Sequence, residues 1–273
     1  MQAVVTKEWL DSHRHDVVLA DVRWYLDGRS GRVAFERAHA RGAVYVDLDT
    51  WLAGPASREH GRHPLPEPTV FARGMASLGI NDDSVVVAYD DAGGVIAARL
   101  VWMLRATGHQ AALLDGGLAA FADQTETGIT ADPRPEAFEA RPWPLARLAT
   151  IDEVAAGTTV VIDARNRDRY EGAPDPFDPR FGHVPGAQSV PCRENLDEAG
   201  RLRPLEDVRA VFEAAGVRES VDVIAYCGSG VTACHDLLIM EWAGLGLGRL
   251  FPGSWSQYSN DPARPIATGQ TVD

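Results

Sequence analysis

Ser220-Val-Asp-Val-Ile-Ala-Tyr226-Cys227-Gly-Ser-Gly-Val-Thr232-Ala-Cys234 passes from an apolar, β-branched run through two closely spaced glycines into an apolar helical pattern. A short apolar run closed by a glycine turn reads as a buried strand, and strand, turn and helix together form the building unit of a parallel α/β sheet. The same succession stands earlier in the chain. Ser84-Val-Val-Val-Ala-Tyr89 is followed by Asp90-Asp-Ala-Gly-Gly-Val95 and then by its own apolar helix. Val17-Val-Leu-Ala-Asp21-Val-Arg23 likewise recurs as Val160-Val-Ile-Asp163-Ala-Arg165. Phe35, His39 and Gly42-Ala43 recur as Phe181, His183 and Gly186-Ala187, and Leu113-Leu-Asp-Gly116-Gly-Leu118 recurs as Leu250-Phe-Pro-Gly253-Ser-Trp255. Four matches in one order, about 140 residues apart, mark an internal duplication, and the changing offsets are what loop insertions produce.

The 273 residues divide into two domains at ~150 residues each. The expected organisation is an N-terminal α/β domain over 1–123, a Pro-rich linker over 124–148 and a C-terminal α/β domain over 149–273. Four prolines between Asp132 and Pro144 break regular structure there and favour an extended path. A composition of 45% hydrophobic and 24% charged residues is that of a folded chain. The net charge of −13 argues against nucleic acid as a partner, so a small anionic substrate needs a local cluster of arginines. No run approaches the ~20 apolar residues of a membrane span, and the charged N-terminus does not resemble a signal peptide. A cytoplasmic protein is expected, with no membrane partner. Three cysteines form no disulfide framework, and each is a core filler or a reactive thiol. Scattered histidines without ligand spacing predict no metal, and the absence of a nucleotide fingerprint predicts no cofactor.

Cys227 is placed where a strand ends and a helix begins, which is where parallel sheets bind ligands and where backbone N–H groups lie free. Gly228 and Gly230 let the backbone of Cys227-Gly-Ser-Gly-Val231-Thr232 curl so that N–H groups converge on the sulfur, with Ser229 and Thr232 adding hydroxyls. Such a setting lowers a thiol pKa and favours the thiolate. The plainer alternative, a buried Cys227 acting as a small hydrophobe, stays open on local sequence alone. The first half aligns Asp90 with Cys227. Because an unpaired buried carboxylate is costly, this substitution predicts that the loop faces water and that the chain carries one working site. Cys234, in step with Leu238 and Trp242 on one helical stripe, reads as core, and so does Cys192 on an expected strand. His39 and His183, at equivalent positions in both halves, read as structural hydrogen-bonding groups.

Phe181-Gly-His-Val-Pro-Gly-Ala187, Cys227-Gly-Ser-Gly-Val-Thr232 and Gly253-Ser-Trp-Ser256 together resemble the tandem-domain rhodanese-type sulfurtransferases, over nearly the whole chain. The resemblance implies two rhodanese-like domains, each a mainly parallel sheet flanked by helices. The N-terminal one is inactive, and the C-terminal one carries a cysteine that takes sulfur from a donor as a persulfide and passes it on. The neutral loop looks like the 3-mercaptopyruvate branch, whose product is pyruvate. Related phosphatases place an arginine where Ala233 stands, which argues against phosphoryl chemistry. The family motif Arg-aromatic-x-Gly matches Arg169-Tyr-Glu-Gly172 and implies that Arg169 binds the donor. The family's second arginine falls on Asp178, and Arg180 is the expected replacement. By the same resemblance Ser229, His63 and Asp49 form a proton relay, with His63 and Asp49 supplied by the N-terminal domain. For the arginines the plainer reading is a surface ion pair, and for His63 a loop histidine. A thiol such as thioredoxin or a low-molecular-weight thiol is the expected acceptor. The alternatives are a thiosulfate sulfurtransferase and, from another class, a non-catalytic persulfide carrier or redox sensor.

Overall fold

A computed structural model describes residues 1–122, 124–129 and 133–269. Within the expected linker, residues 130–132 lie outside the described residues, as do position 123 and the last four. The chain forms two compact units. The first comprises Met1–Gly54, Leu65–Trp143 and Glu198–Leu202, and the second Pro55–Pro64, Pro144–Asp197 and Arg203–Asp273. The expected boundaries therefore miss two exchanges. Residues 55–64 group with the second unit, and 198–202 group with the first.

The first unit holds a five-stranded parallel sheet in the order Val4–Val5, Gln110–Leu114, Val85–Tyr89, Val17–Asp21, Val44–Tyr45. A small antiparallel pair, His39–Ala40 with Thr125–Glu126, stands beside it. The second unit holds a four-stranded parallel sheet in the order Arg249–Leu250, Val223–Tyr226, Val160–Asp163, Gln188–Ser189. Strands covered on both faces read as continuous apolar runs, and Val223–Tyr226 is buried throughout. The helix Ala233–Trp242 is buried from Ala233 to Met240 instead of along one stripe, so Cys234 is core for a stronger reason than its period suggested. Cys192 is also buried, in a single 3₁₀ turn, Cys192–Asn195, and not on a strand. No helix of the described residues is long and apolar enough to cross a membrane.

The duplication is legible at atomic detail. At the end of the strand Val17–Asp21, Arg23 grips Asp21 with Nε at 3.0 and 3.1 Å and Nη2 at 2.7 Å, and donates to Ala38 O at 2.7 Å. In the second unit Arg165 grips Asp163 at 3.0, 3.1 and 2.6 Å and donates to Gly182 O at 2.7 Å. Buried charges persist when paired this fully. The two histidines hold the structural place expected of them. His39 stacks on Phe35 at 3.8 Å and meets Phe35 O at 2.8 Å, and His183 stacks on Tyr170 at 3.6 Å and meets Tyr170 O at 2.8 Å. Tyr89 and Tyr226, each closing a central strand, accept from Ala40 N at 2.9 Å and Val184 N at 3.2 Å.

Candidate active site

Cys227 follows the strand Val223–Tyr226 directly, and a turn of Gly228 to Thr232 separates it from the helix Ala233–Trp242. The loop is pinned from the Gly253-Ser-Trp-Ser256 segment. Cys227 N donates to Ser254 Oγ at 3.1 Å. Trp255 N donates to Cys227 O and Ser256 N to Gly228 O, both at 2.9 Å. These last two bonds join backbone groups, so they hold the loop whatever side chains it carries. Gly230 is left-handed (φ +81°), and a Cβ there would stand 2.4 Å from Pro252 O, so both its conformation and its space demand glycine. Its N–H points at the thiol, with Gly230 N 3.1 Å from Cys227 Sγ. Val231 is buried within the same turn. The Thr232 hydroxyl contacts the Cys192 thiol, which burial pushes well above its ordinary pKa.

Cys227 is 2% exposed and Asp90 0%. Neither side chain therefore faces water, although the loops around them are partly open, with Asp91 exposed and Gly228 and Ser229 half-buried. In the first unit the cost of burying Asp90 is met by four backbone N–H groups. Ala92 N and Gly94 N reach Oδ1 at 2.7 Å each, and Ile96 N and Ala97 N reach Oδ2 at 2.7 and 2.9 Å.

The segment 55–64 brings His63 to the loop. Ser57 and Gly61 pair across a tight turn, Arg62 N donates to Ser256 Oγ at 3.0 Å, and Gln257 Nε2 donates to Glu59 O at 2.6 Å. His63 Nδ1 then lies 2.8 Å from Ser229 Oγ. His63 and Ser229 are thus together within the second unit, although His63 was expected to come from the N-terminal domain. Asp49 belongs to the first unit, in the π-helical turn Leu48–Leu52, where its Oδ2 accepts from Trp24 Nε1 at 3.0 Å.

Arg169 lies in the last turn of the short helix Arg167–Glu171, and its Nη2 lies 2.5 Å from Asp175 and 3.5 Å from Asp178. Arg180 is not the replacement for a second donor-binding arginine. Its guanidinium is consumed by the carbonyls of Ser259 (2.7 Å), Arg264 (2.9 Å), Tyr258 (3.0 Å) and Asp261, so it ties the C-terminal segment down. The arginine at the loop is Arg62, which no motif singled out. Its Nη1 pairs with Asp178, and its Nη2 lies 3.1 Å from where a Gly228 Cβ would stand. Burial pushes the Asp178 carboxyl above its ordinary range, against the pull of Arg62 and Arg169. The signal for Arg62 was present in Gly61-Arg-His63, directly beside a suspected site residue, and in the acid at 178 that needed a counter-charge.

The rhodanese-like domain model matches residues 6–124 and again 149–261. The chain belongs to the rhodanese-like family. As a rhodanese-like chain it is 40% identical over 264 residues to a probable 3-mercaptopyruvate sulfurtransferase of Pseudomonas aeruginosa, covering 93% of each. It is 32% identical to thiosulfate/3-mercaptopyruvate sulfurtransferase 2 of Arabidopsis thaliana, covering 97% of this chain and 86% of that one. Among solved structures, SseA from Escherichia coli superposes with a TM-score of 0.79 at 30% identity, covering 93% of this rhodanese-like chain and 99% of that one.

Proposed function

We propose that this chain is a sulfurtransferase that moves sulfur from 3-mercaptopyruvate through a persulfide on Cys227 to a thiol acceptor. The observation that carries the reading is one loop holding three things together: a cysteine at a strand end, an N–H donor on its sulfur, and a Ser229–His63 pair. The Cys227 thiolate attacks the donor sulfur. The C–S bond breaks, its electron pair stays on carbon as the enolate of pyruvate, and the enolate takes up one proton to leave as pyruvate. An acceptor thiolate then attacks the outer sulfur, and the S–S electron pair returns to Cys227 as thiolate.

Ser229 and His63 supply the proton path, since a hydroxyl–imidazole pair can pass a proton near neutral pH. Asp49 is proposed as the third member of this relay. Gly228, Gly230, Val231 and Thr232 shape the loop that receives the sulfur, and Arg169 binds the donor's carboxylate. Thioredoxin or a low-molecular-weight thiol serves as acceptor in the cytoplasm, where thiols stay reduced. Thiosulfate remains the second donor to test, because the Arabidopsis relative is named for both.

The test is pyruvate release from 3-mercaptopyruvate with a thiol acceptor, run beside thiosulfate, for wild type and Cys227→Ser. Turnover by the wild type, larger with mercaptopyruvate and abolished in Cys227→Ser, is expected. Turnover that survives in Cys227→Ser contradicts the reading. Faster reaction with thiosulfate moves the assignment to that donor, and a stable persulfide without turnover favours a carrier.

A further inference from the structure

Near the Cys227 loop the second unit carries two arginines that share one acid. Asp178 has a fully buried side chain, with Arg62 Nη1 on its Oδ1 and Arg169 Nη2 on its Oδ2. Asp175 takes Arg169 Nη2 from a second side at 2.5 Å. These contacts leave donors over. Arg62 Nε and Arg169 Nε are both buried with no hydrogen-bond partner among the described residues. A guanidinium N–H kept from water without an acceptor is costly, and a bound acceptor relieves that cost. Arg62 stands against the loop itself, at Gly228, the residue after the proposed nucleophile.

We infer that Arg62 is a donor-binding residue, and that Arg62 and Arg169, held in register by Asp178, form a two-guanidinium clamp for the carboxylate of a small monocarboxylic acid. Planar guanidinium groups match a carboxylate's two oxygens, which a single point charge does not. Asp178 keeps two cations close that otherwise repel and fixes their spacing. The two guanidinium charges are already balanced by Asp175 and Asp178, so an arriving anion makes the cluster negative by its own charge. A monocarboxylate adds one charge and a dianion two, which favours the former. This inference deepens the proposed function and rests on the donor being a carboxylate-bearing thiol.

The experiment is titration calorimetry with pyruvate, the carboxylate probe, on the full chain, together with KM and kcat for 3-mercaptopyruvate. Arg62→Met is expected to weaken pyruvate binding and raise KM at least about tenfold, in proportion to the loss of a charged hydrogen bond, with kcat falling less. Arg62→Lys keeps the charge and its pairing with Asp178 but lacks the planar fork, so it is expected to weaken binding as well; this variant decides the matter where Arg62→Met does not fold. Pyruvate binding unchanged in either folded variant overturns the inference, and so does a wild type that binds no pyruvate. Arg62-dependent pyruvate binding in a protein that releases no pyruvate from mercaptopyruvate supports the clamp while overturning the proposed activity.

Discussion

The loops after Tyr89 and after Tyr226 occupy the same place in two copies of one fold, and they differ in what fills them. In the first unit Asp90 brings its own negative charge, and four backbone N–H groups close on it at 2.7 to 2.9 Å. In the second, the Cys227 thiol stands in its place, with Gly230 N 3.1 Å from the sulfur. A backbone turn that gathers N–H groups is an anion site, and a permanent carboxylate occupies the first copy. Under the proposed function the second copy stabilises charge that develops on the Cys227 sulfur. The two loops differ first at the side chain that meets these N–H groups, Asp90 in one and Cys227 in the other.

Removing the carboxylate gives the largest expected effect on stability. Asp90→Ala strands four backbone donors, three of them buried, and is expected to cost about 3 kcal/mol or more, read from denaturant unfolding. Cys227→Ser strands none of that kind and is expected to cost far less. Equal losses would mean that the two loops are structural in the same sense. Next comes the proton path, for which the first copy offers Ala92 where the second has Ser229. His63→Ala is expected to lower kcat about 10²-fold with the fold intact, the usual worth of a positioned acid–base group, and an unchanged kcat would remove His63 from the chemistry.

The smallest effect concerns His183 in the second copy. Burial lowers the pKa of His183 from its ordinary 6.5, so the fold favours the neutral ring. The stability it contributes is complete above pH 6.5 and is lost as pH falls through the lowered folded value. The unfolding midpoint of the wild type is expected to fall over that acid window more steeply than that of His183→Gln. Parallel curves would contradict the assignment.

Much of this comparison could be read from the sequence because it is local. Asp21 with Arg23, Asp163 with Arg165, and the alignment of Asp90 with Cys227 all sit in short strand-and-turn patterns that repeat. What escapes is long-range. The docking of 55–64 on the second unit depends on contacts such as Arg62 N to Ser256 Oγ, which no period or turn signal announces. Arg180 looks suitable by proximity in sequence, but its guanidinium is held by four backbone carbonyls, while the distant Arg62 answers the acid at 178. The burial of Asp90 escapes for a different reason: the cost of an unpaired charge leaves out the four N–H groups that its own turn supplies.

The central claim is that sulfur rests on Cys227 and on neither of the other two cysteines, Cys192 and Cys234. Mass spectrometry of peptides from the wild type, after one equivalent of 3-mercaptopyruvate without acceptor, tests it most directly. One added sulfur is expected on the peptide bearing Cys227, released when a thiol is supplied and absent in Cys227→Ser. Added sulfur on Cys192 or Cys234 instead, or pyruvate formed with no sulfur retained on any cysteine, would contradict it.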